Sequence, residues 1–279
     1  MIALEAHAKV NLSLRVGVKR EDGYHDIDTV MTRLQLADKI ELELCLSGIS
    51  LACSDASLPC GEKNLAWRAA KLFFEKAKIS SGIHIKIEKK IPVEGGLAGG
   101  SSDAASVLLG MNRLYEEKFS SQELMKMASQ LGSDIPFFIQ NHTARCRGRG
   151  ELVESLPNLQ PQAEVLLIFP PFGVSTPWAF SAWDARDWQG EGRVPSAQSF
   201  GGILLENDLE APVFDKYVVL ATLKDYLLRL PGVEAALMSG SGSTVFAILR
   251  ESADAEDLKQ KLQAEFGETF LTELTAFLA

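Results

Sequence analysis

The residues Pro92-Val93-Glu94-Gly95-Gly96-Leu97-Ala98-Gly99-Gly100-Ser101-Ser102 hold the strongest chemical pattern in the chain. Four glycines precede two serines, and an apolar run with helical spacing begins at Ala104. Glycine admits backbone angles and close approaches that a Cβ blocks. Either serine can cap the new helix, and the free N–H groups of a first helical turn make an anion site. Such a loop suits a phosphate chain, although a flexible surface loop has the same composition. It is neither of the two commonest phosphate loops. Ser101 stands where G-x-x-x-x-G-K-[ST] needs lysine, and G-x-G-x-x-G is absent.

Other candidates are single side chains. Ala6 to Val16 alternates, with Ala8, Val10, Leu12, Leu14 and Val16 on one side and His7, Lys9, Asn11, Ser13 and Arg15 on the other. That is the period of a half-buried strand. Lys9 and Asn11 then share a face, roughly 6–7 Å apart, either as part of a solvated surface or aimed at a ligand. Asp134, in L-G-S-D-I-P-F-F-I, enters apolar surroundings, where a carboxylate needs a cation or hydrogen bonds. It is a candidate functional acid, or a surface turn before a buried strand. Asp22-Gly23 is a turn signal with Tyr24 and His25 at its edge. Arg145, Arg147 and Arg149 alternate along one expected strand face, to bind phosphate or simply to be solvated. Asp103 reads as a carboxylate in the first turn of the helix after the glycine loop, favourable to its dipole or close to a magnesium ion. Lys89 and Lys90 read as solvated, within reach of a phosphate.

The elements that must position these groups come from a chain of 279 residues, 46% hydrophobic and 23% charged, with a net charge of −9. That is enough for one large domain or two modest ones. The acidic balance argues against broad nucleic-acid binding and favours a small phosphorylated ligand held by local cations. Cys45, Cys53, Cys60 and Cys146 form no C-x-x-C pair and no zinc spacing. With no basic-then-apolar start and no stretch of membrane length, the expectation is a cytoplasmic protein with reduced thiols and no membrane partner. Strands are expected over 27–46, with a turn at Ala37-Asp38-Lys39, and over 83–87 and 165–170. Helices are expected over 64–78, 102–115, 123–131, 214–230 and 253–266. Residues 182–200 carry two tryptophans among polar residues and read as a variable insert. Glycine and serine alternate from Ser239 to Ser243 before a strand. Alone this is also linker chemistry; beside the first loop it reads as a second phosphate-facing one.

The order P-x-x-x-G-L-x-G-G-S-S-x-A-A resembles the central ATP-binding motif of the GHMP kinases, the family of galactokinase, homoserine kinase and mevalonate kinase. A-K-V-N-L-S-L, R-x-D-G-Y-H, L-G-S-D-I-P-F, G-V-S-T-P-W-A-F, N-D-L-E and the Ser239–Ser243 run are similar to family segments and keep their order from Ala8 to Phe246. Ala98 stands where the family more often has glycine. The resemblance implies an α+β fold of two domains, one like ribosomal protein S5 domain 2 over 1–152 and one ferredoxin-like over 153–279, with ATP and acceptor in the cleft. It implies Lys9 and Asp134 as the catalytic pair, with Asp134 taking the hydroxyl proton, and residues 92–102 with Mg²⁺ on the triphosphate. It puts Asn64 and Leu65 beside adenine, although a helix cap explains Asn64 equally well. It puts Asn11, Tyr24, His25, Phe180, Gly240, Ser241 and Gly242 on the acceptor side, with Trp178 as a rival to Phe180. R-x-D-G-Y-H is like the segment of members acting on a cytidine diphosphate-linked substrate. The expected reaction is therefore transfer of the ATP γ-phosphate to the 2-hydroxyl of a diphosphocytidyl methylerythritol, in non-mevalonate isoprenoid biosynthesis. The alternatives are another small-molecule kinase of the family, or a non-catalytic nucleotide sensor of the same fold. Metal ligands and oligomeric state stay unassigned.

Overall fold

The computed structural model describes residues 1–140, 142–157, 159–185 and 198–278. The first half runs β1 (Ile2–Lys19), β2 (His25–Cys45), β3 (Gly48–Cys53), α1 (Leu65–Ala77), β4 (Gly82–Glu88), α2 (Gly99–Leu114), α3 (Ser121–Leu131), α4 (Ile135–Ile139), β5 (Ala144–Gly148) and β6 (Leu152–Ser155). The second runs β7 (Glu164–Phe169), α5 (Thr176–Asp184), β8 (Ser199–Phe200), β9 (Ile203–Leu204), β10 (Glu206–Asn207), α6 (Glu210–Lys216), α7 (Val218–Arg229), β11 (Val233–Met238), β12 (Val245–Leu249), α8 (Ala255–Phe266) and β13 (Leu271–Ala276). The insert expected over 182–200 lies mostly outside the described residues; its first residues close α5.

The larger sheet has the order β10-β1-β2-β4-β3, with β5 on the other half of β2 and β6 beyond it. β2 is one unbroken strand of 21 residues. Ile27 to Met31 pair with β5, and Lys39 to Cys45 pair with β4. The turn expected at Ala37-Asp38-Lys39 does not form. Asp38 stays in the strand, fully buried, because its carboxylate accepts the backbone N–H groups of Lys90 (2.5 Å) and Ile91 (2.8 Å) and the Lys89 ammonium. Those donors lie far along the sequence, so a turn-forming residue is held in a strand.

Helices α1 to α4 cover one face of this sheet. The small residues of α2 let it lie close, as Ala104 and Ala105 suggest: a Cβ on Gly110 would come within 2.5 Å of Leu42 Cδ1. α2 begins at Gly99, ahead of the expected Ser102. Ala98 is its N-cap in the left-handed region (φ 55°), and the Ala98 carbonyl accepts from Ser101 and Ser102 N–H, 3.0 Å each. Both serines therefore lie inside the helix and neither caps it. Asp103 consequently falls beyond the first turn. Ile135 to Ile139 is a short helix with proline in its first turn, where the surface-turn reading of Asp134 puts a buried strand.

The other sheet has the order β11-β12-β7-β13, covered by α5 to α8. The Ser239–Ser243 loop thus joins two strands. The halves share an apolar core, in which Ala8, Val10 and Leu12 of β1 cluster with Val165, Leu167, Phe246 and Ile248. Two strand pairings also cross between them. β10 pairs parallel with β1, Ser13 opposite Glu206 and Leu14 opposite Asn207, and Phe277 bridges Leu34. β6 runs past the domain boundary expected at 152.

Candidate active site

One cavity of about 990 Å³ opens where the two halves meet, at the upper end of ligand-pocket sizes. The N-terminus of α2, Lys9, Asp134, the His25 region and the second glycine loop all line it. On the polar face of β1, Lys9 and Asn11 are not solvated: each is 4% exposed, because both glycine loops cover them. Lys9 Nζ donates to Asn11 Oδ1 (2.6 Å) and to the Gly96 carbonyl (2.8 Å), and stands 4.0 Å from Asp134 Oδ2. Asn11 in turn donates to Thr29 Oγ1 (2.8 Å). Burial pulls the Lys9 ammonium below the ordinary lysine range, and Asp134 only partly restores it.

Gly96 is the junction of the two loops. Its carbonyl accepts from Lys9 and from Ser239 Oγ (3.0 Å). A Cβ there would sit 2.3 Å from the Ser239 carbonyl, and φ is +75°, so only glycine serves. Asn207 Nδ2 steadies the second loop through the Met238 (2.8 Å) and Gly240 (2.7 Å) carbonyls. Gly240 comes close to Lys9 and Asn11, and Ser241 Oγ meets Thr176 Oγ1 at 2.7 Å. Three of the expected loop residues do not face the cavity. Leu97 and Ser102 are each 1% exposed, and Gly242 packs on Met238 and Val174. Asn64 does cap α1: Oδ1 accepts Ala66 N–H (2.9 Å) while Nδ2 donates to Pro59 O (2.9 Å). Its amide is therefore engaged at both ends, beside Leu65 on the cavity wall.

At the far end His25 stacks on Phe180, centroids 5.2 Å apart and planes 22° apart. Trp178 points elsewhere, against Tyr217 and beneath the Lys216 ammonium, 4.1 Å from the ring centroid. His25 Nε2 meets Asp184 Oδ1 at 2.6 Å, and Asp184 also holds Lys19 Nζ at 2.6 Å. The Lys19 hydrogen bond leads in drawing the Asp184 carboxyl below its usual range. Asp184 is absent from the sequence-based reading. It lies in a polar segment, 159 residues from the histidine it orients, with no local signal.

A second buried centre lies by the start of α2. Lys89 is not solvated: its ammonium bridges Asp38 and Asp103, the latter at 2.9 Å. The Asp103 carboxylate is thus taken up by Lys89. Burial lowers the Lys89 affinity for its proton, but Asp103 and Asp38 more than offset it. Burial, with Asp38 nearby, pushes the Asp103 carboxyl up to about 7 against the pull of Lys89.

The Gly99 and Gly100 N–H groups at the start of α2 have no preceding helical carbonyls to bind, and the helix has no acidic residue in its first turn. This end of the cavity therefore fits a polyphosphate. Among the described residues no group of three His, Cys, Asp or Glu is placed to hold a metal ion, and none of their helices is long and apolar enough to cross a membrane.

The model of GHMP kinases N terminal domain matches residues 64–142, and that of GHMP kinases C terminal matches 194–268. A 4-diphosphocytidyl-2-C-methyl-D-erythritol kinase of Methylacidiphilum infernorum is 40% identical over 265 residues, 94% of this chain and 92% of the relative. The chain belongs to the GHMP kinases. Within that family another 4-diphosphocytidyl-2-C-methyl-D-erythritol kinase, from Clostridium botulinum, is 37% identical across 96% of this chain and 98% of its own. A crystal structure of 4-(cytidine 5'-diphospho)-2C-methyl-D-erythritol kinase superposes with a TM-score of 0.81 at 33% identity, covering 100% of both chains. A homoserine kinase from Cytophaga hutchinsonii (TM-score 0.74, 17% identity, 99% and 95% covered) shares the GHMP kinase fold. The architecture is thus the two-domain α+β fold of these kinases.

Proposed function

We propose that this chain transfers the γ-phosphoryl group of ATP to the 2-hydroxyl of 4-diphosphocytidyl-2-C-methyl-D-erythritol, as a cytoplasmic enzyme of isoprenoid precursor synthesis. The observation that carries the reading is a run of contacts inside one cavity. The glycine loop touches Lys9, Lys9 faces Asp134, and the stacked His25 and Phe180 line the same cavity. Gly95 and Gly96 of the loop, with Gly99 and Gly100 at the helix start, hold the triphosphate by backbone N–H groups and the helix dipole. Asp134, 35% exposed and beside a cation, accepts the hydroxyl proton. Lys9 offers charge to the phosphoryl group in transit. His25 and Phe180 hold the pyrimidine, with Asp184 fixing the imidazole. Mg²⁺, when bound with ATP, supplies further neutralisation of the phosphates; its protein ligands are not assigned. On this reading the chain divides near residue 152 into an ATP-binding half and a half that closes the cleft.

The test is transfer from ATP to the cytidine substrate beside homoserine, galactose and mevalonate, read by phosphorus NMR. A new monoester with the cytidine acceptor alone is expected, with Asp134→Asn lowering kcat about 10²–10⁴-fold. Phosphorylation of a different acceptor would overturn the substrate, and undiminished turnover in Asp134→Asn would overturn the mechanism.

A further inference from the structure

The three alternating arginines do not share one fate. Arg145 is bound to Asp28 through Nε (2.7 Å), and Arg147 to Glu154 (2.7 Å), both on the exposed strand face. β5 then ends at Gly148, and Arg149 falls in the turn to β6. Gly150 N–H to the Arg147 carbonyl (3.1 Å) and Arg149 N–H to Glu151 Oε2 (2.6 Å) hold that turn. It delivers the Arg149 side chain to the cavity wall, where its guanidinium carbon lies 5.0 Å from the centroid of the Tyr24 ring. The next residue, Gly150, packs against Asp134. Arg149 therefore stands over Tyr24 on the wall of the cavity that Asp134 and His25 also line.

Two other cations of the cavity wall have other work: Lys9 faces Asp134 and, on the kinase reading, lends its charge to the phosphoryl group in transit, and Lys19 is paired with Asp184. Arg149 keeps its fork open: among the described residues its nearest carboxylate oxygen is Glu151 Oε1, 4.0 Å from Nε. The carboxylates of Asp22, Asp134 and Asp184 line the same end. An anion entering there needs a cation to offset them. An aromatic face holds a guanidinium flat, and a guanidinium binds phosphate oxygens two at a time.

We propose that Arg149 binds the diphosphate that joins cytidine to the acceptor alcohol, so that the site prefers a nucleoside diphosphate over the uncharged nucleoside. This rests on the kinase reading above, and it assigns to the acceptor's phosphates a residue that the motif resemblance leaves without a role.

The experiment titrates cytidine and cytidine diphosphate by calorimetry into the full chain, its nucleotide end saturated with a non-hydrolysable ATP analogue. The wild type is expected to bind the diphosphate at least about tenfold more tightly than cytidine. Arg149→Met, which keeps the bulk over Tyr24, loses about 10–100-fold for the diphosphate and less than about twofold for cytidine. Arg149→Lys recovers part of the loss, and salt weakens the diphosphate far more than cytidine. If both variants keep the wild-type ratio of the two affinities, the assignment to Arg149 is wrong while the kinase reading stands. If the wild type binds neither ligand, the cytidine reading of the site fails and takes the inference with it.

Discussion

Two buried lysines line the same cavity and are built in opposite ways. Lys9 donates to two neutral oxygens and keeps its nearest carboxylate at 4.0 Å. Lys89 touches two carboxylates, both buried. Burial draws both ammonium groups down; at Lys9 burial prevails, and at Lys89 the aspartates do. A lysine already neutralised has little charge to lend a substrate. One left under-neutralised is poised for an incoming anion. Lys89 thus ties β2 to the start of α2, while Lys9 keeps its charge for the proposed chemistry.

The comparison breaks most easily at Lys89. Lys89→Met leaves Asp38 and Asp103 facing each other in the interior, so we expect a loss of about 3–5 kcal/mol in denaturant unfolding. Should the unfolding midpoint stay put while turnover collapses, the division of labour is reversed. Lys9→Met should do the opposite. It lowers kcat about 10²–10³-fold with little change in unfolding midpoint, since Asp134 is 35% exposed and can turn to water.

A subtler check uses pH. The folded form holds the Asp103 proton up to about 7, against 3.8 as the ordinary value. The native state thus binds more protons than the unfolded chain between those values, and this carboxyl makes stability fall as pH rises through that window. Asp103→Asn has no proton to lose and should flatten the slope. An unaltered slope in unfolding curves across the window would remove Asp103 from the account. The smallest effect is expected at Ala98. Its φ of 55° costs about 1–2 kcal/mol, which Ala98→Gly relieves and the greater unfolded-state freedom of glycine partly offsets. The net gain should be under about 1 kcal/mol, seen as a slightly raised Tm; a fall would show that Ala98 packing outweighs its strain.

The legible parts of this molecule were those whose cause is local. The alternation of β1, the helical spacing of α1 and α3, and the run of glycines before a helix all announce themselves in sequence. What hid was set by distant partners. Asp38 looks like a turn residue until the N–H groups of Lys90 and Ile91 are brought to it. Lys89 looks solvated until two carboxylates from separate elements enclose it. The alternation of β1 alone leaves Lys9 and Asn11 open between surface and ligand, because the loops that bury them come from both halves of the chain. Asp184 could be found only once His25 had a position in space. Motif order located the first glycine loop, yet only the backbone path shows that Leu97 and Ser102 turn away from the cavity.

The pairing of β10 with β1 carries a consequence for how the protein is made. A ribosome that has released the first half of the chain has produced a sheet with a bare edge at Ser13 and Leu14, and with Ala8, Val10 and Leu12 lacking their partners. Glu206 and Asn207 close that edge, and Phe277 reaches Leu34 only once the chain has emerged past β13. The sheet begun first is finished last. A nascent chain stalled midway presents an open strand edge and an uncovered apolar face, the kind of surface on which stray strands pair and chaperones act.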